Sequence, residues 1–207
     1  MPDTADLEQQ IAALQQQLQE QVSTLKRLIE ISTLLSSTLN IDELLRTIIS
    51  AAAELLHAET GSLMLVDEET GELTFEVATG TPGEEVVKHR IPAGQGIAGW
   101  VAQHAEPLTV ADPASDSRFY GQIDQAVGFA TRNILAVPLG VKDRVIGVVE
   151  VINKLSPEGF DAGDVELAAA LASQAAVAID NAQMYSRLTE AVVASRLSSR
   201  LYQLGVE

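Results

Sequence analysis

The chain has 207 residues, 46% of them hydrophobic but only 4% aromatic, and a formal net charge of −16. That acid excess argues against nucleic acid, whose binding needs Lys and Arg against phosphates, and against an anionic membrane surface for the same reason. The absence of cysteine rules out disulfides, thiolate metal sites, thiol catalysis and thioether-linked chromophores in this chain. The polar, acidic start does not read as a signal peptide. No apolar run stands out as approaching the roughly 18 residues a membrane span needs, so a cytoplasmic location is the expectation.

The first segment is Gln-rich and periodic. Leu7, Ile11, Leu14, Leu18, Gln21, Leu25, Leu28, Ser32, Leu35 and Leu39 recur in steps of four and three, the a/d seam of a coiled coil over residues 1–39. Gln21 and Ser32 interrupt it, as polar residues that fix register do. Asn40 then reads as a helix cap, with Glu43 placed to reach back to it. The helix it opens, over 41–56, carries Leu44, Leu45, Ile48, Ile49, Ala52 and Leu55 on one face.

Residues 61–66, a turn at 67–71 and the alternating stretch 72–79 predict a β-hairpin. A third strand is expected over 86–91. Pro92 to Gly96 opens a short helix ending near Gln103, and 108–110 is a short strand. Residues 112–128 are polar and predict a loop with one helical turn in it. A second hairpin is expected from 133–140 and 144–153, joined by a short turn. Asp161 caps a last helix whose residues Leu167, Leu171, Gln174, Ala178, Asn181, Tyr185, Leu188 and Val192 again step by four and three, reaching about Leu204. Strands grouped in hairpins, without crossover helices, predict an α+β fold with an antiparallel sheet.

Over residues 40–187 the chain resembles a GAF domain. The resemblance is carried by Gly94-Gln-Gly-Ile-Ala-Gly-Trp-Val-Ala102, by Ser115-Asp-Ser-Arg-Phe-Tyr120, by Gly128-Phe-Ala-Thr-Arg-Asn-Ile-Leu135 with Val137-Pro138, and by Ile146-Gly-Val-Val-Glu-Val-Ile-Asn-Lys154. It implies a six-stranded antiparallel sheet with helices on one face, a small-molecule pocket on the other, and long terminal coiled-coil helices that pair the domain into a homodimer. Residues 188–207 would be a C-terminal helical extension. Within the family the motifs are most similar to the cyclic-nucleotide-binding GAF domains of phosphodiesterases and bacterial cyclases, which have Asn-Lys, then Phe, then three residues and Asp-Glu. Here those positions hold Asn153-Lys154, Phe160 and Asp164, followed by Val165 in place of Glu.

The resemblance implies ligand-binding positions at Ser62, Ile97, Ala98, Tyr120, Asp124, Thr131 and Glu150, and a lid salt bridge between Lys154 and Asp164. Two positions depart from the nucleotide-binding pattern: Val127 stands where Thr is frequent and Thr79 where Asp is common. No cofactor is implied beyond a cyclic nucleotide as ligand. The family's role implies an output domain, in cis or in trans.

The residues also carry readings of their own. Gly94 to Gly99 matches G-x-G-x-x-G, but Pro92 immediately before it and the short helix after it do not make a dinucleotide-binding βαβ unit. The backbone N–H groups of Gly96, Ile97 and Ala98 would receive a phosphate or carboxylate at a helix start; a glycine-relaxed helix start without a ligand explains the same residues. His57, His89 and His104 are far apart and read as surface residues, so no metal is expected. No G-x-S-x-G elbow is present, and the cysteines of GAF-like methionine-sulfoxide reductases are missing. The expectation is therefore a non-enzymatic regulatory module. It would sense a cyclic nucleotide or similar small organic anion, or serve as a ligand-free dimerisation and docking module. Trp100 and Phe119 are expected in the core. Tyr120 is expected toward the pocket, and Glu150 is divided between the pocket and a solvent-facing edge.

Overall fold

The computed structural model describes residues 4–203 except 39, 81 and 82. Leu39 of the first predicted seam and Leu204, the expected end of the last helix, lie outside the described residues, as does the side chain of Leu7. Helix α1 (Thr4–Ser37) leads into α2 (Ile41–Leu55), and the hairpin β1 (Ala58–Val66) and β2 (Leu73–Ala78) follows. A short α3 (Gly83–Val86) precedes β3 (Arg90–Ile91), α4 (Gly96–His104) and β4 (Leu108–Val110). A 3-10 turn (Pro113–Ser115) and α5 (Gln122–Val127) cross to the hairpin β5 (Ile134–Val141) and β6 (Arg144–Lys154), and α6 (Ala162–Gln203) closes the chain. The six strands form one antiparallel sheet in the order β3-β2-β1-β6-β5-β4.

Side chains alternate between the two faces of a strand, and this divides the core. Leu63, Val77, Leu135, Val137, Val149 and Val151 point to the face covered by α1, α2 and α6. Met64, Phe75, Ala136 and Val148 point to the face covered by α4. Phe75 and Val77 are two residues apart and would share a face in a regular strand. A bulge, in which Leu63 pairs with Val77 and Met64 with Phe75, leaves Glu76 unmatched and turns them to opposite sides. Gly61 lets α2 lie tight on β1, because a Cβ there would come within 2.7 Å of the Ile49 side chain.

Local chemistry places the elements. The Asn40 side chain accepts from the Glu43 amide at 3.0 Å and starts α2. Asp161 Oδ1 accepts from the Asp164 amide at 2.9 Å while Asp164 Oδ2 accepts from the Asp161 amide at 3.0 Å, a reciprocal cap that starts α6. Lys142 takes a positive φ of 54° in the two-residue turn of the β5–β6 hairpin.

Two sequence expectations are corrected. The strand expected over 86–91 is confined to Arg90–Ile91, because Gly83–Val86 is a turn of helix. The 112–128 loop holds both a 3-10 turn and α5, which ends at Gly128 in the left-handed region.

The N-terminal seam divides. Its last part, Leu28 and Leu35, packs with Ile31 against the helix-side core, and the Ser32 hydroxyl donates to Gln174 of α6 at 3.1 Å. Ile11, Leu14, Leu18 and Leu25 stay more than half exposed. Helix α6 behaves similarly: Ala168 to Ala182 contribute to the core, and Met184, Tyr185, Leu188 and Val192 are exposed. It runs unbroken through position 188. The stretch Ala162–Ala194, with a best-window mean hydropathy of 1.3, is long and apolar enough to cross a membrane by composition. That corrects the expectation that no such run exists; 39% of that window is buried inside the fold.

Candidate functional site

A cavity of about 80 Å³ lies on the α4 side of the sheet. Strands β1, β2 and β6 give its floor through Ser62, Phe75 and Glu150. The start of α4 gives Ile97 and Ala98, and the segment through α5 covers it with Tyr120, Asp124, Phe129 and Thr131. All seven residues placed at the pocket by the resemblance therefore line one cavity.

Glu150 and Ser62 are cross-strand partners in the β1–β6 ladder. β6 is a central strand, which settles the two placements left open for Glu150: its side chain faces the cavity, buried. Burial pushes its carboxyl up to about 7, and the negative charge of Asp124 adds to the rise. The Ser62 hydroxyl opposes part of it, yet Oγ is fully buried and makes no hydrogen bond of normal geometry. Asp124 is engaged differently. Its two oxygens accept from the Thr131 amide and the Thr131 hydroxyl, both at 2.9 Å, which pins the segment after α5. The Tyr120 hydroxyl donates to Gln122 at 3.1 Å on the outer side.

The glycine motif has a structural explanation. Gly94 and Gly96 both sit at φ +73°, and a Cβ on Gly99 would stand 2.7 Å from the Gly94 carbonyl carbon. Gln95 provides no side-chain cap, which leaves the first-turn N–H groups of α4 without one. Trp100 is half-buried, stacked on His104 with ring centroids 4.1 Å apart, and the Arg118 guanidinium lies over the Trp100 ring, 5.2 Å from its centroid. Phe119, expected in the core, packs against it and also lines the cavity. Phe75 and Phe129, which the sequence analysis did not single out, line it as well.

Of the two departures, Val127 lines the cavity. Thr79 also reaches it, but its hydroxyl is bound into the β1 backbone, accepting from the Gly61 amide at 3.0 Å. Lys154 Nζ meets Asp164 Oδ1 at 2.6 Å, both side chains 12% exposed, and so ties the end of β6 to the start of α6. Neither residue lines the cavity. Asn153 makes the neighbouring link. Buried at φ 62°, it accepts from the Arg132 amide at 2.7 Å and donates to the Ala130 carbonyl and to Glu59. Val165, at the Glu position of the motif, packs against the helix-side core. Among the described residues no group of three or more His, Cys, Asp or Glu could hold a metal.

A profile of the GAF domain family matches residues 38–180. The chain belongs to the GAF domain family. Its solved likenesses include the GAF domain of a phosphoenolpyruvate-protein phosphotransferase from Coxiella burnetii, with a TM-score of 0.71 at 23% identity, covering 79% of this chain and 96% of that one. A free methionine-R-sulfoxide reductase from Neisseria meningitidis, solved with its substrate, aligns with a TM-score of 0.66 at 19% identity over 78% of this chain and 91% of that one. At these identities the likeness is one of fold. A probable 3',5'-cyclic phosphodiesterase, pde-5, from Caenorhabditis elegans is 27% identical over 179 residues, which is 81% of this chain and 23% of that protein. The chain thus spans about a quarter of that relative. GAF domains are typically regulatory rather than catalytic, and this chain has no cysteine.

Proposed function

We propose that this GAF domain is a small-molecule-sensing module that binds a cyclic nucleotide or similar small organic anion and relays its state through paired terminal helices to an output domain. The observation that carries the reading is the cavity itself, in which a buried carboxyl and a buried hydroxyl without a hydrogen bond of normal geometry face a mainly apolar space. Polar groups are left in that condition where a ligand completes them. The likeness to a probable cyclic phosphodiesterase supports the nucleotide class. The uncapped start of α4 supports an anionic end on the ligand. At 80 Å³ the cavity has room for about six waters, at about 10–15 Å³ each. A nucleotide therefore enters only when the α5 segment swings outward.

A path for that movement exists. Asp124 holds Thr131, the neighbouring Arg132 amide is held by Asn153, and Lys154 holds Asp164 at the root of α6. Displacing α5 would thus bear on α6. The exposed stripes Ile11, Leu14 and Leu18 on α1 and Tyr185, Leu188 and Val192 on α6 are read as covered by a second copy, because heptad spacing is what two helices need to bury such a seam. Replacing Leu14 and Leu18 together by Glu is expected to give a monomer in sedimentation equilibrium; an unchanged dimer would remove α1 from the interface.

Thermal unfolding against cyclic nucleotides and small organic anions tests the sensor. A ligand at a hundredfold excess over its Kd adds about 2.7 kcal/mol, and Thr131→Ala and Glu150→Ala should abolish the shift. The second reading is a ligand-free dimerisation and docking module. The replacement of two polar motif positions by Val127 and Val165 favours it, and a panel without any shift would select it.

A further inference from the structure

The cavity lining differs from the rest of the chain in a way the nucleotide class does not explain. The protein has four phenylalanines in 207 residues, and three of them, Phe75, Phe119 and Phe129, meet at this cavity with Tyr120. Two carboxylates, Glu150 and Asp124, share the space, and among the described residues no Lys, Arg or His lines it. Asp124 is satisfied by Thr131. Among the described residues Glu150 has no positive partner; the Ser62 hydroxyl beside it on β1 and the Asp124 charge from α5 act on it, and Tyr120 lines the same cavity. An anion pushed to this floor would meet two acidic side chains. A cation there is attracted by the carboxylates, and an aromatic ring that turns its face to it adds to the attraction when its centre is within about 6 Å.

We propose that the cavity binds a small organic ammonium ion, its nitrogen against the Glu150 carboxylate and the Ser62 hydroxyl and its apolar body among Phe75, Phe119, Phe129 and Tyr120. This rests on the reading of the cavity as the sensory site and changes the charge of the ligand. The size agrees: space for about six waters holds an amine as compact as tetramethylammonium, and a larger phenethylammonium needs only a small outward shift of the α5 segment. An N–H-bearing ammonium donates to Glu150 and to the orphaned Ser62 oxygen together. A quaternary ammonium would use the ring faces alone.

Calorimetric titration of the full chain with phenethylammonium and with tetramethylammonium, beside a cyclic nucleotide, tests the proposal. Phenethylammonium is expected to bind at pH 8 and to weaken about tenfold at pH 6, where about a tenth of Glu150 stays ionised against its value of about 7. Glu150→Gln should cost at least about tenfold at pH 8 and flatten that pH dependence, since it removes the Glu150 charge from the floor. Phe119→Leu should weaken either cation. Binding of tetramethylammonium in preference to phenethylammonium would support the cation site and assign it to the rings. Nucleotide binding without ammonium binding overturns the ammonium proposal and leaves the anion sensor standing. Failure of both overturns it and favours the docking module. Ammonium binding untouched by both substitutions also overturns it.

Discussion

The two faces of the sheet come from the same strands and are built for different ends. The face toward α1, α2 and α6 is aliphatic and continuous: Leu44, Ile48, Ile49, Leu63 and Ile179 are fully buried, and alanines of α6 close the gaps. The face toward α4 concentrates phenylalanine, encloses a cavity and leaves a buried carboxyl without a positive partner and a buried hydroxyl without a hydrogen bond of normal geometry. A sheet that alternates its side chains can keep its stability on one side and accept a local deficit on the other.

The largest effect that would sharpen this comparison is on the helix side. Ile48→Ala removes a side chain with no exposed surface from a packed core and should cost about 4 kcal/mol, read from urea unfolding. A cost under about 1 kcal/mol would mean that this face is not the stabilising one. The cavity side should respond with the opposite sign. Glu150 is held at about 7 against an ordinary 4.5. The unfolded chain therefore gives up its proton more readily than the folded one, and the group opposes folding as pH rises from about 4.5 through 7. Glu150→Gln should consequently stabilise by up to about 3 kcal/mol at pH 8 and by almost nothing at pH 4. Equal melting shifts at the two pH values would show that Glu150 is not a buried deficit.

The same contrast governs what the sequence made legible. Hairpins, caps and the apolar face of α2 follow from local periodicity and local hydrogen bonding, so residues such as Asn40, Asp161 and Leu44 were placed from the sequence. The family motifs brought Ser62, Ile97, Asp124 and Glu150 to one region before any geometry was known. The aromatic lining was not legible, because Phe75, Phe119 and Phe129 come from β2 and two separate loops, and Phe75 reaches the cavity only through the bulge at Glu76. The segment 86–91 looked like a strand because Val86 and Val87 are β-branched; both instead pack half-buried beside the cavity-side core. Helix α5 was hidden in a polar segment, its signal being Gly128 at the left-handed position that ends it. The seam of α1 was legible as a period, but a period does not say where a helix stops packing on its own domain, and the change falls near Leu28.

A smaller effect probes the link between the faces. Lys154 and Asp164 are nearly buried, and Asp164 also caps α6. Lys154→Met keeps the stem volume and removes the charge; leaving Asp164 without its partner should cost about 2 kcal/mol. If the pair serves the relay as well as stability, a ligand that still binds the variant would no longer change the hydrogen-exchange protection of the first turns of α6.

The smallest effect belongs to the helix side and tests whether its stability is in its packing or its ends. Asn40 Oδ1 satisfies the Glu43 amide, one of the four N–H groups that the first turn of α2 leaves open. Asn40→Ala should cost about 1 kcal/mol, a quarter of the Ile48→Ala effect, with the same denaturant slope, because the apolar face of α2 stays docked on β1. A cost near that of Ile48→Ala would mean that α2 depends on its cap to reach the sheet. The aliphatic face would then be as conditional on one polar contact as the cavity face is on Glu150.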